Sequence, residues 1–206
     1  MIAPSYRTFA PIVLCLFSVA AASELRTALR VWSALKGPIV IEAESTLSTL
    51  RKGAWERLSD DDASRGAAVI WRGPGTWQEG ADDVRPYTPF KEPDSVLTYR
   101  FKVAVEGRYA IKLRNRHVRE DGDNDVWLSI NRQEFRKYYD WNVHAWTWDE
   151  TGSWANHRLM PGEHLLEIAG RSHGFAIDRI VIFRDGATDV AEWTDLGCHE
   201  AWVEAP

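Results

Sequence analysis

The apolar positions of this chain recur mostly with a period of two. Between Leu97 and Val105, the residues Leu97, Tyr99, Phe101, Val103 and Val105 fall on one side, and Thr98, Arg100 and Lys102 fall on the other. Successive side chains of a strand point to opposite faces, so this alternation predicts a strand with one buried face. Gly107 turns the chain, and Tyr109 to His117 repeats the pattern, with Tyr109, Ile111 and Leu113 opposed to Lys112, Arg114 and Arg116. Shorter runs bounded by turn residues predict strands at Ile39–Ser45, Ala67–Arg72, Asp125–Ile130, Glu134–Asp140, Asn156–Met160, His164–Gly170 and Phe175–Arg184. About nine short strands with regular turn signals predict a single all-β domain, an antiparallel β-sandwich of the jelly-roll kind, over residues 39–184. Residues 24–38 depart from this. Leu25, Leu29, Trp32 and Leu35 have roughly helical spacing, which predicts a short helix or leader ended by Gly37 and Pro38.

The connections sort by length. In an antiparallel run, successive turns fall at alternate ends, which puts the tight turns Val105–Gly107, Asn131–Gln133 and Pro161–Glu163 at one end, together with the long connection Thr46–Gly66. The connections Gly73–Val96, Val118–Asn124, Trp141–Ala155 and Arg171–Gly174 share the opposite end. They hold many of the Trp, His and Asp residues, and loops on a rigid scaffold are where binding usually resides.

The two ends of the chain change the picture of where this domain works. Residues 1–23 carry one charge, Arg7, ahead of an apolar run from Phe9 to about Ala22, with Ala21, Ala22 and Ser23 as small residues at a cleavage point. This predicts a secretory signal peptide, hence an extracellular or periplasmic protein without a membrane span after cleavage. Residues 185–206 form an acidic tail carrying Trp193 and Trp202, expected to pack as a strand or lie loosely. Without residues 1–23, the 25 Lys and Arg lose only Arg7 and face 30 Asp and Glu, a net charge of −6. Nucleic acid is therefore excluded as a partner, because its binding needs concentrated positive charge. Cys198 is then the single cysteine, so neither an internal disulfide nor a cysteine-rich metal site is expected. The sequence does not set the oligomeric state.

All 11 Trp residues follow the signal segment. Tyr139, Trp141, Trp146, Trp148 and Trp154 surround a polar loop with His144, and sugar rings stack their C–H faces on such aromatic rings. Planar and bidentate groups read hydroxyls, and Asp121, Asp123, Asn124 and Arg171 supply them on neighbouring loops. The run Asp121 to Asp125 opens like a calcium loop but continues with Val126 and has Arg132 at the twelfth position, so it is not an EF-hand. A calcium site, a hydroxyl-binding loop and a plain turn stay open for it. Glu42 and Glu44, two apart on a predicted strand, point to one face. They suit a hard cation better than a glycosidase carboxylate pair, and a solvated strand face is the third reading. The chain has no H-E-x-x-H, no G-x-S-x-G and no Gly-rich phosphate loop. A motif-free enzyme site on a sheet face would draw on His117, Tyr139 and Arg116.

Several segments in order resemble a known family: Ile41-Glu42-Ala43-Glu44, Leu97-Thr98-Tyr99-Arg100-Phe101, Gly107-Arg108-Tyr109, Pro161-Gly162-Glu163-His164, and Gly174 through Ile180 with its Ile177-Asp178 pair. Together they resemble the galactose-binding-like β-sandwiches of family 6 and family 35 carbohydrate-binding modules, and the C-terminal domain of family 115 glycoside hydrolases is a similar relative. The resemblance implies a structural calcium held by Glu42, Glu44 and Asp178, and a sugar site in the loops at one end. Such modules often carry an Asn where this chain has Ala176, so His173 or Arg171 is the expected substitute. The function implied is a secreted, non-catalytic carbohydrate-binding protein whose partner is a polysaccharide or glycan. A protein-binding or cell-surface adhesion module and a small secreted polysaccharide lyase or hydrolase are the alternatives.

Overall fold

A computed structural model of the chain describes residues 30–33, 37–75, 95–118, 124–141, 144–148, 157–185 and 202–204. The strands are β1 (Arg30–Ser33), β2 (Ile39–Glu42), β3 (Trp55–Ser59), β4 (Ala67–Trp71), β5 (Val96–Val103), β6 (Gly107–Arg116), β7 (Asp125–Ile130), β8 (Arg136–Tyr139), β9 (Thr147–Trp148), β10 (His157–Leu159), β11 (Gly162–Gly170), β12 (Ala176–Arg184) and β13 (Trp202–Glu204). One sheet has the order β13-β1-β5-β11-β7-β8. The other has the order β10-β6-β12-β4-β3, with β2 also on β12 and β9 also on β6. The predicted antiparallel β-sandwich is the observed fold, apart from one parallel pairing between β1 and β5.

The alternations read from the sequence locate the core. Leu97, Tyr99, Phe101 and Val103 of β5 and Tyr109, Ile111 and Leu113 of β6 are buried between the sheets. Trp32 meets Tyr99 edge-on at 5.9 Å, and Trp55 lies 5.5 Å from Trp71. Both tryptophans of the second pair keep their indole N–H satisfied, Trp55 on Ser95 O at 3.0 Å and Trp71 on Pro74 O at 3.1 Å. Truncating such a fully buried aromatic costs about 3–5 kcal/mol.

Three expectations need correction. Arg30–Ser33 is a strand, not part of a helix: Val31 and Trp32 are both buried, and β1 sits between β5 and the tail strand β13. Pairing across the sheet outweighs the helical spacing of four apolar residues. Second, Trp55–Ser59 is a strand inside the predicted connection Thr46–Gly66, and it pairs with β4. Inserting β3 reverses the direction of β2, so the chain after Glu42 heads toward the loop end. Third, Ile39–Ser45 is not one strand: β2 stops at Glu42 and Ala43–Ser45 form a short 3-10 turn, so Glu42 and Glu44 do not share a strand face.

Elsewhere the end-by-end sorting holds. Hydrogen bonds from Asp140 N to Asn124 O (3.0 Å), Ser172 N to Asp125 O (3.2 Å), Gly174 N to Trp71 O (2.8 Å) and His144 N to His117 O (2.9 Å) tie three of these connections, and the end of β4 that leads into the fourth, together at one end. The stretch read as Trp141–Ala155 contains β9, which pairs with Arg114 and Asn115 of β6. The tail also contributes a strand, β13.

Candidate functional site

The loop end is built on buried polar anchors. Asn115 continues the inward-facing row of β6, where it is fully buried and donates from Nδ2 to Asp140 Oδ2 at 2.8 Å. Asp140 Oδ1 accepts the Trp141 N–H at 2.7 Å. This fixes the backbone at the start of the aromatic loop. Trp141 itself is 57% exposed and stands edge-on to Tyr139 at 5.8 Å. Lys137 lies over the Tyr139 ring at 5.5 Å. His144 is exposed nearby, with φ 69° in the left-handed region.

The other predicted ligand residues separate. Arg171 is buried, is ion-paired to the buried Asp125 and lies over the Trp127 ring at 5.1 Å. Ser172 Oγ donates to the same carboxylate. Arg171 therefore fastens its loop to β7 and offers no fork to a ligand. Asn124 is buried, with its carbonyl taken by Asp140. His173 is exposed, with Nδ1 3.0 Å from Gly73 O. Trp146 and Trp148 leave the loop end for the outer face of the seven-stranded sheet: Trp146 stacks on Arg116 at 4.6 Å, and Trp148 covers Val40 and Val181. Asp121, Asp123 and Trp154 lie outside the described residues. Ala176 is buried and pairs with Ile70 and Arg116, so it offers no contact where the resemblance expects a polar one. His117, Arg116 and Tyr139 do not assemble. His117 is fully buried against Phe175 (6.2 Å, stacked), Arg116 points to the opposite face, and Tyr139 is on the other sheet.

That outer face carries a layer of carboxylate–arginine pairs the alternation only half announced. Asp178 sits at a bulge where the β12–β6 register shifts between Ile177 and Arg179. An extra residue on one strand re-aims its neighbours. Ile177 and Ile180 thus both reach the core while Asp178 and Arg179 reach the outer charged layer. Arg179 Nε lies 3.0 and 3.2 Å from the two oxygens of Glu42, which is fully buried. Arg114 pairs with Asp178, also fully buried, and Arg116 Nη1 lies 2.6 Å from Asp60 Oδ2. The turn after β3 folds over this layer. Ser64 donates its N–H to Asp178 Oδ1 at 2.8 Å and its Oγ–H to Glu42 Oε1 at 3.1 Å. Arg65, at φ 55°, lies 3.6 Å from Glu42. Burial, with Glu42 and Asp178 nearby, pushes the Glu44 carboxyl up to about 7, against its own backbone hydrogen bond and Arg57. Its Oε2 is buried and accepts no hydrogen bond.

This set does not fit a calcium ion as placed. Such an ion takes six to eight oxygens with free lone pairs. Here guanidinium groups and Ser64 already occupy both oxygens of Glu42 and both of Asp178, leaving Glu44 alone with an open oxygen. No group of three or more His, Cys, Asp or Glu among the described residues is arranged around a common point for a metal.

No protein-family model matches this chain, and no curated protein matches it. Solved structures do. The GH26-CBM35 β-(1,4)-mannanase of Podospora anserina aligns over 75% of this chain with a TM-score of 0.51 and 15% identity, and the matched part is 29% of that enzyme's length. The family 35 carbohydrate-binding module from Clostridium thermocellum aligns over 73% of this chain and 99% of its own, at 23% identity and a TM-score of 0.48. The C-terminal CBM6 of LamC from Zobellia galactanivorans aligns over 71% and 99%, at 15% identity and 0.44. At these identities the likeness speaks for the fold, and the chain has the sandwich fold expected from its resemblance to family 6 and family 35 modules.

Proposed function

We propose that this protein is an exported, non-catalytic carbohydrate-binding sandwich that takes its glycan at the loop end, with Trp141 as the stacking platform. One observation carries this reading. Trp141 is 57% exposed, although the residue before it is fastened into the core through Asn115. An indole held out on a fixed backbone offers apolar area at low entropic cost, which suits the C–H face of a sugar ring. Tyr139 and Lys137 beside it supply a second ring and a hydrogen-bond donor for hydroxyls. The fold likeness to a CBM35-bearing mannanase supports a carbohydrate ligand, and fold alone does not assign one. A buried His117 argues against the lyase reading, since a general acid or base must reach its substrate.

Export rests on residues 1–23, outside the described structure. No helix among the described residues is long and apolar enough to cross a membrane. The test is a pull-down of the purified chain on a panel of neutral and acidic polysaccharides. Retention released by soluble oligosaccharide is expected. A folded protein retained on none of them overturns the reading.

A further inference from the structure

Of the three acidic side chains that a resemblance alone would give to a metal, Glu42 and Asp178 are held here by the chain's own cations. We propose that Arg114 and Arg179 close the Glu42–Asp178 cluster in place of a divalent ion, so that the fold of this protein is independent of calcium. The geometry is that of a completed site. Arg179 reaches both Glu42 oxygens from the facing strand, at 3.0 and 3.2 Å through Nε, with Nη2 2.9 Å from Oε1. The planar guanidinium matches a carboxylate in this way, and a point cation does not. Arg114 takes Asp178 and also points Nη2 at Asp62 O, 3.4 Å away. Ser64 bridges the two carboxylates from above, one through its N–H and one through its hydroxyl.

The consequence is mechanical. The cluster joins β2, β6, β12 and the Asp60–Gly66 turn, partners up to 137 positions apart in the chain. A structural cation would make the same tie. Placing one 2.3–2.6 Å from these oxygens, as calcium requires, would force its charge against two guanidinium groups already in contact with them. Glu44 Oε2 is the carboxylate oxygen of this cluster that accepts no hydrogen bond, and one carboxylate is too few for such an ion.

Thermal melting of the full chain in millimolar EDTA and in millimolar calcium chloride tests this directly. A ligand bound by the native state alone raises the melting temperature. The two curves are expected to superimpose. A rise in calcium, or a fall in EDTA, overturns the proposal. Arg179→Met should lower the melting temperature, because it leaves the buried Glu42 with only the more distant Arg65 and the Ser64 hydroxyl, and the double variant Glu42→Gln/Arg179→Met should recover much of the loss. An Arg179→Met protein that melts like the parent, or a double variant no more stable than Arg179→Met alone, also overturns it. If Arg179→Met does not fold, the double variant still reads out the pair.

Discussion

Arg179 and Glu42 face one another as register partners of β12 and β2, and the arginine's Nε lies within 3.2 Å of both carboxylate oxygens. The pair sits against a bulge that turns Asp178 out toward the same charged layer. One irregularity of one strand thus gathers Glu42 and Asp178 with their arginines under the Asp60–Gly66 turn. The seven-stranded sheet is closed by charge on its outer face as well as by apolar packing on its inner one. Replacing one partner of such a pair is far costlier than replacing both.

Glu44 makes stability depend on pH. Its carboxyl is raised from 4.5 to about 7 in the folded protein, with burial the largest cause and Glu42 and Asp178 adding to it. Between those values the native state binds more protons than the unfolded chain, so stability falls as pH rises through the window. The raised Asp178 and Glu167 carboxyls act in the same direction, and the lowered Asp60 acts against them. Glu44→Gln should therefore stabilise the protein by about 2 kcal/mol near pH 8 and leave it nearly unchanged near pH 4. Denaturant titrations at the two pH values check this. Equal effects at both would refute it.

Arg171 is a fastener. Arg171→Leu should destabilise the protein by about 3 kcal/mol, because Asp125 stays buried without its guanidinium. Adding Asp125→Asn should return part of that loss. If Arg171 instead read a ligand, its removal would weaken glycan retention and leave the melting temperature alone.

Trp141→Ala should behave in the opposite way. More than half of the indole is already in solvent, so the melting temperature should move by no more than about 2 °C. Glycan retention should fall about tenfold or more, as for a stacking anchor. Tyr139→Phe keeps the second ring and removes its hydroxyl, so a smaller loss is expected, read by affinity electrophoresis in the same polysaccharide.

The β7–β8 hairpin carries removable strain. Asn131 and Arg132 have φ of 54° and 59°, with Gln133 N–H donating to Ile130 O at 3.1 Å. This two-residue turn favours Asn-Gly, and Asn131 already fits: its Oδ1 accepts the Leu165 N–H at 3.0 Å. Arg132→Gly should raise stability by about 0.5–1 kcal/mol, measured by thermal melting. An unchanged or lower melting temperature would show that the Arg132 side chain outweighs the strain of its backbone.

The residues of β5 and β6 show how much was legible in the chain itself. Their alternation is local, so Tyr99, Phe101, Ile111 and Leu113 could be placed in the core from spacing alone. Turn residues then ordered the connections, and the loop end followed by parity except where β3 went unread. Trp55–Ser59 hides because Glu56, Arg57 and Ser59 make it an ordinary polar stretch with one buried tryptophan. The chain also announced Arg114, Asp178 and Glu42 as polar positions, without their partners. Those partners are 64 to 137 residues away, and a register shift at the bulge decides which face they take. Likewise, one spacing rule offered Trp141, Trp146 and Trp148 as a single cluster, and strand β9 drew the last two to the other sheet. Period and turn chemistry act over a few residues and are written in the sequence. Pairing between distant strands, and the choice of which carboxylate meets which arginine, is set only when both sheets close on one core.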